Sequence, residues 1–395
     1  MKEGWTYKKL GEVCVKITDG SHNPPKGVER SNNIMLSSQN VQNGYLNMSS
    51  VRYLSDDDFK IEDQRTKASK GDVLLTIVGT IGRTCVLNGN EGNITFQRSV
   101  AILKPSKDVT SYYLMYYLLS QSNTLNTKAQ GAAQKGIYLK QLGDFEILYP
   151  TLSEQQRIVS RLDSAFAHID ERKANAEKQL SEARALFQKA LTKAMEPKEG
   201  WEEKKMKEIV VSLTDGDHQP PPKSNDGIPF ITISNIDKDS NRIDFENTFF
   251  VPRSYFEGLK KDRIPHEGDV LYTVTGSFGI PVLIDFQKEF CFQRHIALIR
   301  PNQNRLSSKF LYYWILSSYA TTQADDTATG TAQRTVSLNS LRNFVITIPP
   351  LSEQQRIVSR LDSLSAHVRE LEEVLQKTIA ECDALKQALL RQVFE

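Results

Sequence analysis

The chain has 395 residues, 50 of them lysine or arginine and 48 aspartate or glutamate, for a net charge of +2. With 39% hydrophobic and 25% charged residues it can fill real cores, which excludes wholesale disorder. No run approaches the ~18 apolar residues of a transmembrane helix, and a balance this near neutral argues, taken alone, against a strongly basic nucleic-acid binder.

The opening Met1-Lys2-Glu3-Gly4-Trp5 has no apolar signal core, and Cys14, Cys85, Cys291 and Cys382 lie far apart with no CxxC pair. The expectation is a cytoplasmic protein with free thiols, no membrane segment and no structural metal.

In chain order, the first landmark is Thr18-Asp19-Gly20-Ser21-His22, running into Asn23-Pro24-Pro25-Lys26, a proline-braced turn with a histidine and a lysine. Residues 73–78 are β-rich and stop at Gly79-Thr80-Ile81-Gly82. Ala101-Ile102-Leu103 is a buried-strand candidate that soon meets Pro105. A helix is predicted over 112–120, its aromatic stripe read as core rather than as a base-stacking platform. Gln130-Gly131-Ala132-Ala133-Gln134-Lys135 then combines small residues with an amide and a cation. Pro150 precedes Leu152-Ser153-Glu154-Gln155-Gln156-Arg157, where Ser153 can cap a helix. A charged helix is predicted from there to Pro197. Its seam runs through Ile158, Leu162, Ala165, Ile169, Ala176, Ala183, Leu186 and Ala190, with Arg172 and Gln179 interrupting it.

The series then starts again. Residues 152–164 return unchanged as 351–363, an offset of 199. Upstream, Thr214-Asp215-Gly216-Asp217-His218 and the prolines to Lys223 echo the first landmark. Residues 270–274 echo the β-rich run, Gln293-Arg294 echoes Gln97-Arg98, and Ala297-Leu298-Ile299 is again a strand candidate. A helix over 310–317 and Thr329-Gly330-Thr331-Ala332-Gln333-Arg334 complete the copy. The second charged helix has Ser352 as its candidate cap. Its seam is Ile357, Leu361, Leu364, Val368, Leu371, Leu375, Cys382, Leu385 and Leu389, with Thr378 filling a gap. The chain is thus a unit of nearly 200 residues written twice: 1–150 globular, 151–196 helical, 197–350 globular, 351–395 helical. A helix of about 40 residues is roughly 60 Å long and cannot hide its stripe inside a 150-residue domain. An intramolecular antiparallel pair, leucine bulk against alanine space, is expected; the alternative is an intermolecular coiled-coil dimer.

Catalytic patterns are missing. Asn23-Pro24-Pro25 is followed by Lys26 rather than an aromatic, as an amino-methyltransferase signature would need, and the second copy has Gln219. There is no FxGxG cofactor motif and no G-x-x-x-x-G-K-[ST]. His168 and His367 sit on the charged helices without a nearby nucleophile. What remains is polar, paired loop chemistry of the kind that reads base edges. The contact candidates are His22, Lys26, Arg83, Gln97, Arg98, Gln134 and Lys135, and in the second copy His218, Lys223, Gln293, Arg294, Gln333 and Arg334. The Gln-Arg pairs could equally brace the fold.

This layout resembles the specificity (S) subunit of type I restriction–modification systems. The resemblance covers the whole chain and rests on the Pro-x-Leu-Ser-Glu-Gln-Gln-Arg-Ile-Val-type helix entries after Pro150 and Pro349, the Thr-Asp-Gly-x-His loops and the Gly-x-Ala-Gln-Lys/Arg loops. It implies an α+β fold: two similar mixed α/β target-recognition domains separated by two long antiparallel coiled-coil helices, a pseudo-twofold internal repeat. It implies a non-catalytic reader of double-stranded DNA, each domain taking one half of a bipartite site while the helices set the gap. Two methyltransferase subunits, docking on residues such as Gln155, Gln156, Arg157, Arg161, Gln354, Gln355, Arg356 and Arg360, would methylate adenine with S-adenosylmethionine. ATP-driven, Mg-dependent restriction/translocase subunits would join them, so cofactors belong to partners. The other reading is a coiled-coil scaffold with only incidental DNA contact.

Overall fold

One antiparallel four-stranded sheet lies at the centre of each copy of the repeat. The computed structural model describes residues 4–130, 135–331 and 333–394. These form two units: one takes in the chain up to Glu177 together with the part from Lys377 onward, and the other runs from Lys178 to Gln376.

The first unit contains β1 (Thr6–Lys9), α1 (Leu10–Val13), β2 (Cys14–Asp19), β3 (Asn33–Leu36), β4 (Arg52–Leu54), α2 (Asp56–Thr66), β5 (Val73–Thr76), β6 (Thr84–Val86), β7 (Asn93–Phe96), β8 (Val100–Pro105), α3 (Ser111–Ser120), α4 (Ser122–Lys128), α5 (Leu139–Gly143), β9 (Glu146–Tyr149) and the start of α6 (Leu152–Ala194). The second contains the end of α6, then β10 (Glu202–Lys205), α7 (Met206–Ile209), β11 (Val210–Asp215), β12 (Ile228–Ile231), β13 (Ile236–Asp237), β14 (Arg242–Ile243), β15 (Phe249–Val251), α8 (Arg253–Glu257), β16 (Val270–Thr273), β17 (Pro281–Leu283), β18 (Cys291–Phe292), β19 (Ile296–Pro301), α9 (Ser308–Leu316), α10 (Ser318–Thr327), α11 (Leu338–Arg342), β20 (Val345–Ile348) and the start of α12 (Leu351–Phe394), whose end returns to the first unit.

The sheets run β2-β8-β5-β6 and β11-β19-β16-β17. Each is joined by a three-stranded sheet (β4-β3-β7; β15-β12-β18) and by a ribbon tying the start of the globular part to its end (β1-β9; β10-β20). The central strands read as unbroken apolar runs because both faces are covered. Successive strand residues point to opposite sides, so Val73, Leu75, Ala101 and Leu103 enter one cluster with α3 while Leu74, Val100 and Ile102 enter another. Val270, Tyr272 and Ile299 are separated from Leu271 and Leu298 in the same way. The aromatic stripe of α3 is core, as expected: Tyr113 and Tyr116 are buried, their hydroxyls donating to the Leu148 carbonyl at 2.9 Å and to Asp163 at 2.6 Å.

Each long helix is anchored where it starts. Gln155 is fully buried; its Oε1 accepts the Thr110 N–H at 2.9 Å and its amide donates to the carbonyls of Asp108 and Pro150, both at 3.1 Å. Gln354 repeats this with Ser307 N–H at 2.8 Å, the Arg305 carbonyl at 2.8 Å and the Pro349 carbonyl at 2.9 Å. These two glutamines, expected to face a partner, therefore face their own domain: a buried amide must spend its donors and acceptor locally. Gln156, Arg157, Arg161, Gln355, Arg356 and Arg360 are exposed. The caps also differ from expectation. The helices begin at Leu152 and Leu351, so Ser153 and Ser352 lie inside the first turn. Thr151 Oγ1 accepts the Glu154 N–H at 3.4 Å, and the Pro350 carbonyl takes the N–H groups of Glu353 and Gln354.

The apolar face of α6 passes through Ile158, Leu162, Ile169, Ala176, Ala183 and Leu191, with buried Met195 just beyond its end; that of α12 passes through Ile357, Leu361, Leu375, Cys382, Leu390 and Phe394. Leu186, Leu371 and Leu385, assigned to the seam by strict heptads, are exposed (62%, 42% and 49%). An α-helix has 3.6 residues per turn, so a stripe on a nearly straight helix drifts off a heptad by ~20° per repeat. Arg172 and Gln179 do not interrupt it, since the stripe runs through the half-buried Lys173 and Leu180 beside them. In the first unit α6 and α12 run antiparallel, with Lys173 against Asp383 and Asp170 against Lys386; in the second, Arg184 lies against Glu372. Among the described residues no helix is long and apolar enough to cross a membrane.

Two predictions follow from the packing. Gln155→Ala strands two backbone carbonyls and one N–H in a buried place, and should lower stability by roughly 3 kcal/mol, read by urea unfolding. Burial pushes the Cys14, Cys85 and Cys291 thiols up to about 12, so peptide mapping after iodoacetamide treatment at pH 8 should find these three unmodified in the folded chain.

Candidate nucleic-acid interface

In the first sheet β2 ends, β8 begins, β5 ends and β6 begins at one and the same end. The loops there carry the candidate residues. Helix α6 is anchored at the opposite end, beside Asp108 and Thr110 just beyond β8.

The Thr-Asp-Gly-x-His loop is pinned by its glycine. A Cβ on Gly20 would fall 1.9 Å from the Phe96 carbonyl oxygen, and one on Gly216 would fall 2.0 Å from that of Phe292. Only glycine lets the loop approach the β7–β8 turn this closely, with Ser21 N–H donating to Phe96 at 2.7 Å and Arg98 N–H to Ser21 at 2.8 Å. Gln97 N–H binds Leu36 at 2.8 Å, and Gln293 N–H binds Ile231 at 2.9 Å. The Gln-Arg pairs thus brace through their backbones while Arg98 and Arg294 are exposed. His22, Asn23, Gln39, Gln97 and Arg98 share a polar cleft of about 520 Å³.

Each histidine is held by an aspartate that an arginine grips from elsewhere. His22 Nε2 lies 2.8 Å from Asp19, whose other carboxylate oxygen pairs with Arg65 at the end of α2; Arg65 Nε also donates to the Asp19 carbonyl at 3.0 Å. His218 Nε2 lies 2.9 Å from Asp215, and Arg263 lies 3.6 Å from Asp215 and 3.7 Å from Asp217. Tyr255, pushed up to about 12 by burial and the Asp217 charge, stays protonated and donates to Asp217 at 3.3 Å. His295 is held below the usual imidazole range by burial and by the charges of Arg294 and His218, so it is neutral at pH 7 and can accept as well as donate. Sequence reading missed Arg65, Arg263, Tyr255 and His295. The matched offset of Arg65 and Arg263, 198, was the available signal.

The remaining candidates vary. Val78 bridges Gly136, bringing the exposed Lys135 beside the cleft, while Gln134 lies outside the described residues. Lys26 lies with Pro24 and Tyr53 on an adjoining hollow. Arg83 is half-buried in the β5–β6 turn, its N–H donating to Thr76 Oγ1 at 2.9 Å. Lys223 sits 5.0 Å over the Phe249 ring. Gln333 is exposed, and Gly276 N–H donates to the Arg334 carbonyl at 3.0 Å. Arg334 itself is engaged within its domain, 3.0 Å from the Asp325 carboxylate and 5.2 Å over the Phe278 ring.

The family model for the type I restriction modification DNA specificity domain matches twice, over residues 2–181 and 198–381. The chain belongs to this family. The EcoBI specificity subunit of Escherichia coli is 23% identical over 299 residues, which is 69% of this chain and 62% of that protein. The EcoKI specificity subunit of Escherichia coli strain K12 is 22% identical over 424 residues, 100% and 89% of the two. A solved chain from a study of complex assembly and conformational transition of the type I R-M system matches with a TM-score of 0.76 at 19% identity, over 100% of this chain and 98% of that one; this likeness shows the fold. A type I specificity subunit recognises DNA sequence.

Gly216→Ala should force the loop away from Phe292 and so disorder His218 and Asp217 together. The expected outcome is a loss of several °C in melting temperature by calorimetry, since the clash is with backbone rather than with a flexible side chain.

Proposed function

We propose that each globular part reads one half of a bipartite DNA site through the loops at the far end of its sheet. The helices set the gap and dock the methyltransferase subunits. One observation carries this reading: the helix entries are identical over 13 residues, whereas the loop ends share a skeleton but differ in the residues they present. A surface that meets the same partner twice is kept, and surfaces that meet different bases diverge. The exposed Gln156, Arg157 and Arg161, with Gln355, Arg356 and Arg360, are the docking candidates. Exposed arginine and glutamine can make two-pronged bonds to guanine and adenine. S-adenosylmethionine, ATP and Mg would be held by partner subunits, and this chain would contribute no catalytic group.

Charge fits the same division. Residues 1–150 hold 18 basic and 14 acidic side chains, against 17 and 18 in residues 201–350. DNA binding by the isolated chain should be weak and salt-sensitive, with phosphate grip supplied by partners.

Methylome sequencing of a host carrying this chain with its partners should show a split motif with one modified adenine per strand; a single contiguous motif would contradict two readers. Arg98→Ala should cost about 1–3 kcal/mol and relax one position in one half, while Arg294→Ala relaxes the other half. Binding by the reconstituted complex without sequence preference would favour the scaffold reading.

A further inference from the structure

The two long helices bury the same positions, 199 residues apart, but their charges beside the buried face differ. In the first unit Lys173 Nζ lies 2.8 Å from both carboxylate oxygens of Asp383, and Lys386 pairs with Asp170. In the second, Arg184 Nε donates to Glu372 at 2.7 Å. By the repeat, Lys173 is equivalent to Glu372 and Arg184 to Asp383. The same place on the seam therefore holds an ion pair in both units, and each time α6 supplies the cation and α12 the anion.

We infer that this face of α6 fits α12 and rejects a second copy of itself, so that the two halves of the chain pair only with each other. In the same antiparallel register, α6 against another α6 would set Lys173 against Arg184, twice, and leave Asp170 opposite Phe187. Helix α12 against another α12 would set Glu372 against Asp383 and Arg369 against Lys386, each twice. One such pair on a helix surface contributes little. Re-pairing exchanges them all at once, however, and like charges cost about what unlike charges gain. Specificity of this kind comes from repulsion in the wrong complex as much as from attraction in the right one. A further consequence, which rests on the proposed reading of DNA, is that one particle always presents two different readers and never two copies of one.

A specific protease site placed in the exposed 197–200 link would let the intact chain fold before it is cut. The cut protein is equilibrated with an isotope-labelled copy until label crosses, and native mass spectrometry counts the pairs. Unlike pairs should exceed like pairs at least tenfold at low salt. In the Arg184→Asp/Glu372→Lys chain, which keeps an ion pair at that place but makes it compatible with self-pairing, the excess should fall severalfold. Like pairs of wild-type pieces in the proportion of a random mixture would overturn the inference. If no label crosses, the intact chain decides. Lys173→Glu should lower the melting temperature and Lys173→Glu/Asp383→Lys should restore it; failure to restore would mean that the register, and with it the inference, is wrong.

Discussion

The structure depends on one buried amide, used twice. Gln155 and Gln354 each tie backbone groups a few residues beyond a central strand to the carbonyl two residues before a long helix through a single side chain. A helix of 43 or 44 residues is a long lever, and a small error at its root becomes a large displacement at its tip. Three hydrogen bonds in a water-free place fix the angle at which each helix leaves its domain. The candidate loops stand at the opposite end of the same sheet, so the sheet connects loop and helix root within one unit.

The loop end uses the opposite device. There the backbone is drawn tight by glycine, and the polar side chains are held by neighbours rather than buried. An aspartate at the strand end receives a histidine from its own loop and an arginine from a distant segment. The first copy grips its aspartate closely with Arg65; the second spreads Arg263 over two aspartates and adds Tyr255. One scaffold thus holds two different surfaces.

Much of this was legible in the sequence, for physical reasons. Identity over residues 152–164 and 351–363 exposed the duplication, and unbroken apolar runs marked strands covered on both faces. The seam was legible only in outline. Leu186, Leu371 and Leu385 satisfy a heptad by residue type but fall outside the stripe, because a nearly straight helix does not keep a heptad. The buried glutamines misled in the other direction: a polar residue in a charged segment reads as surface until the carbonyls it must satisfy are seen. Arg65 and Arg263 could not be placed from local pattern, since their aspartates lie 46 and 48 residues earlier in the chain.

Leu390 and Phe394 fill the core of the first unit, Phe394 meeting Tyr113 and Tyr117 edge-on at 5.7 and 5.4 Å between ring centres. On the ribosome, those tyrosines emerge more than 270 residues before the phenylalanine that covers them. The first unit is therefore completed by a segment far downstream of its own sheet. Losing the end of α12 would leave an apolar face of the first unit uncovered, although that unit's own sheet would be intact.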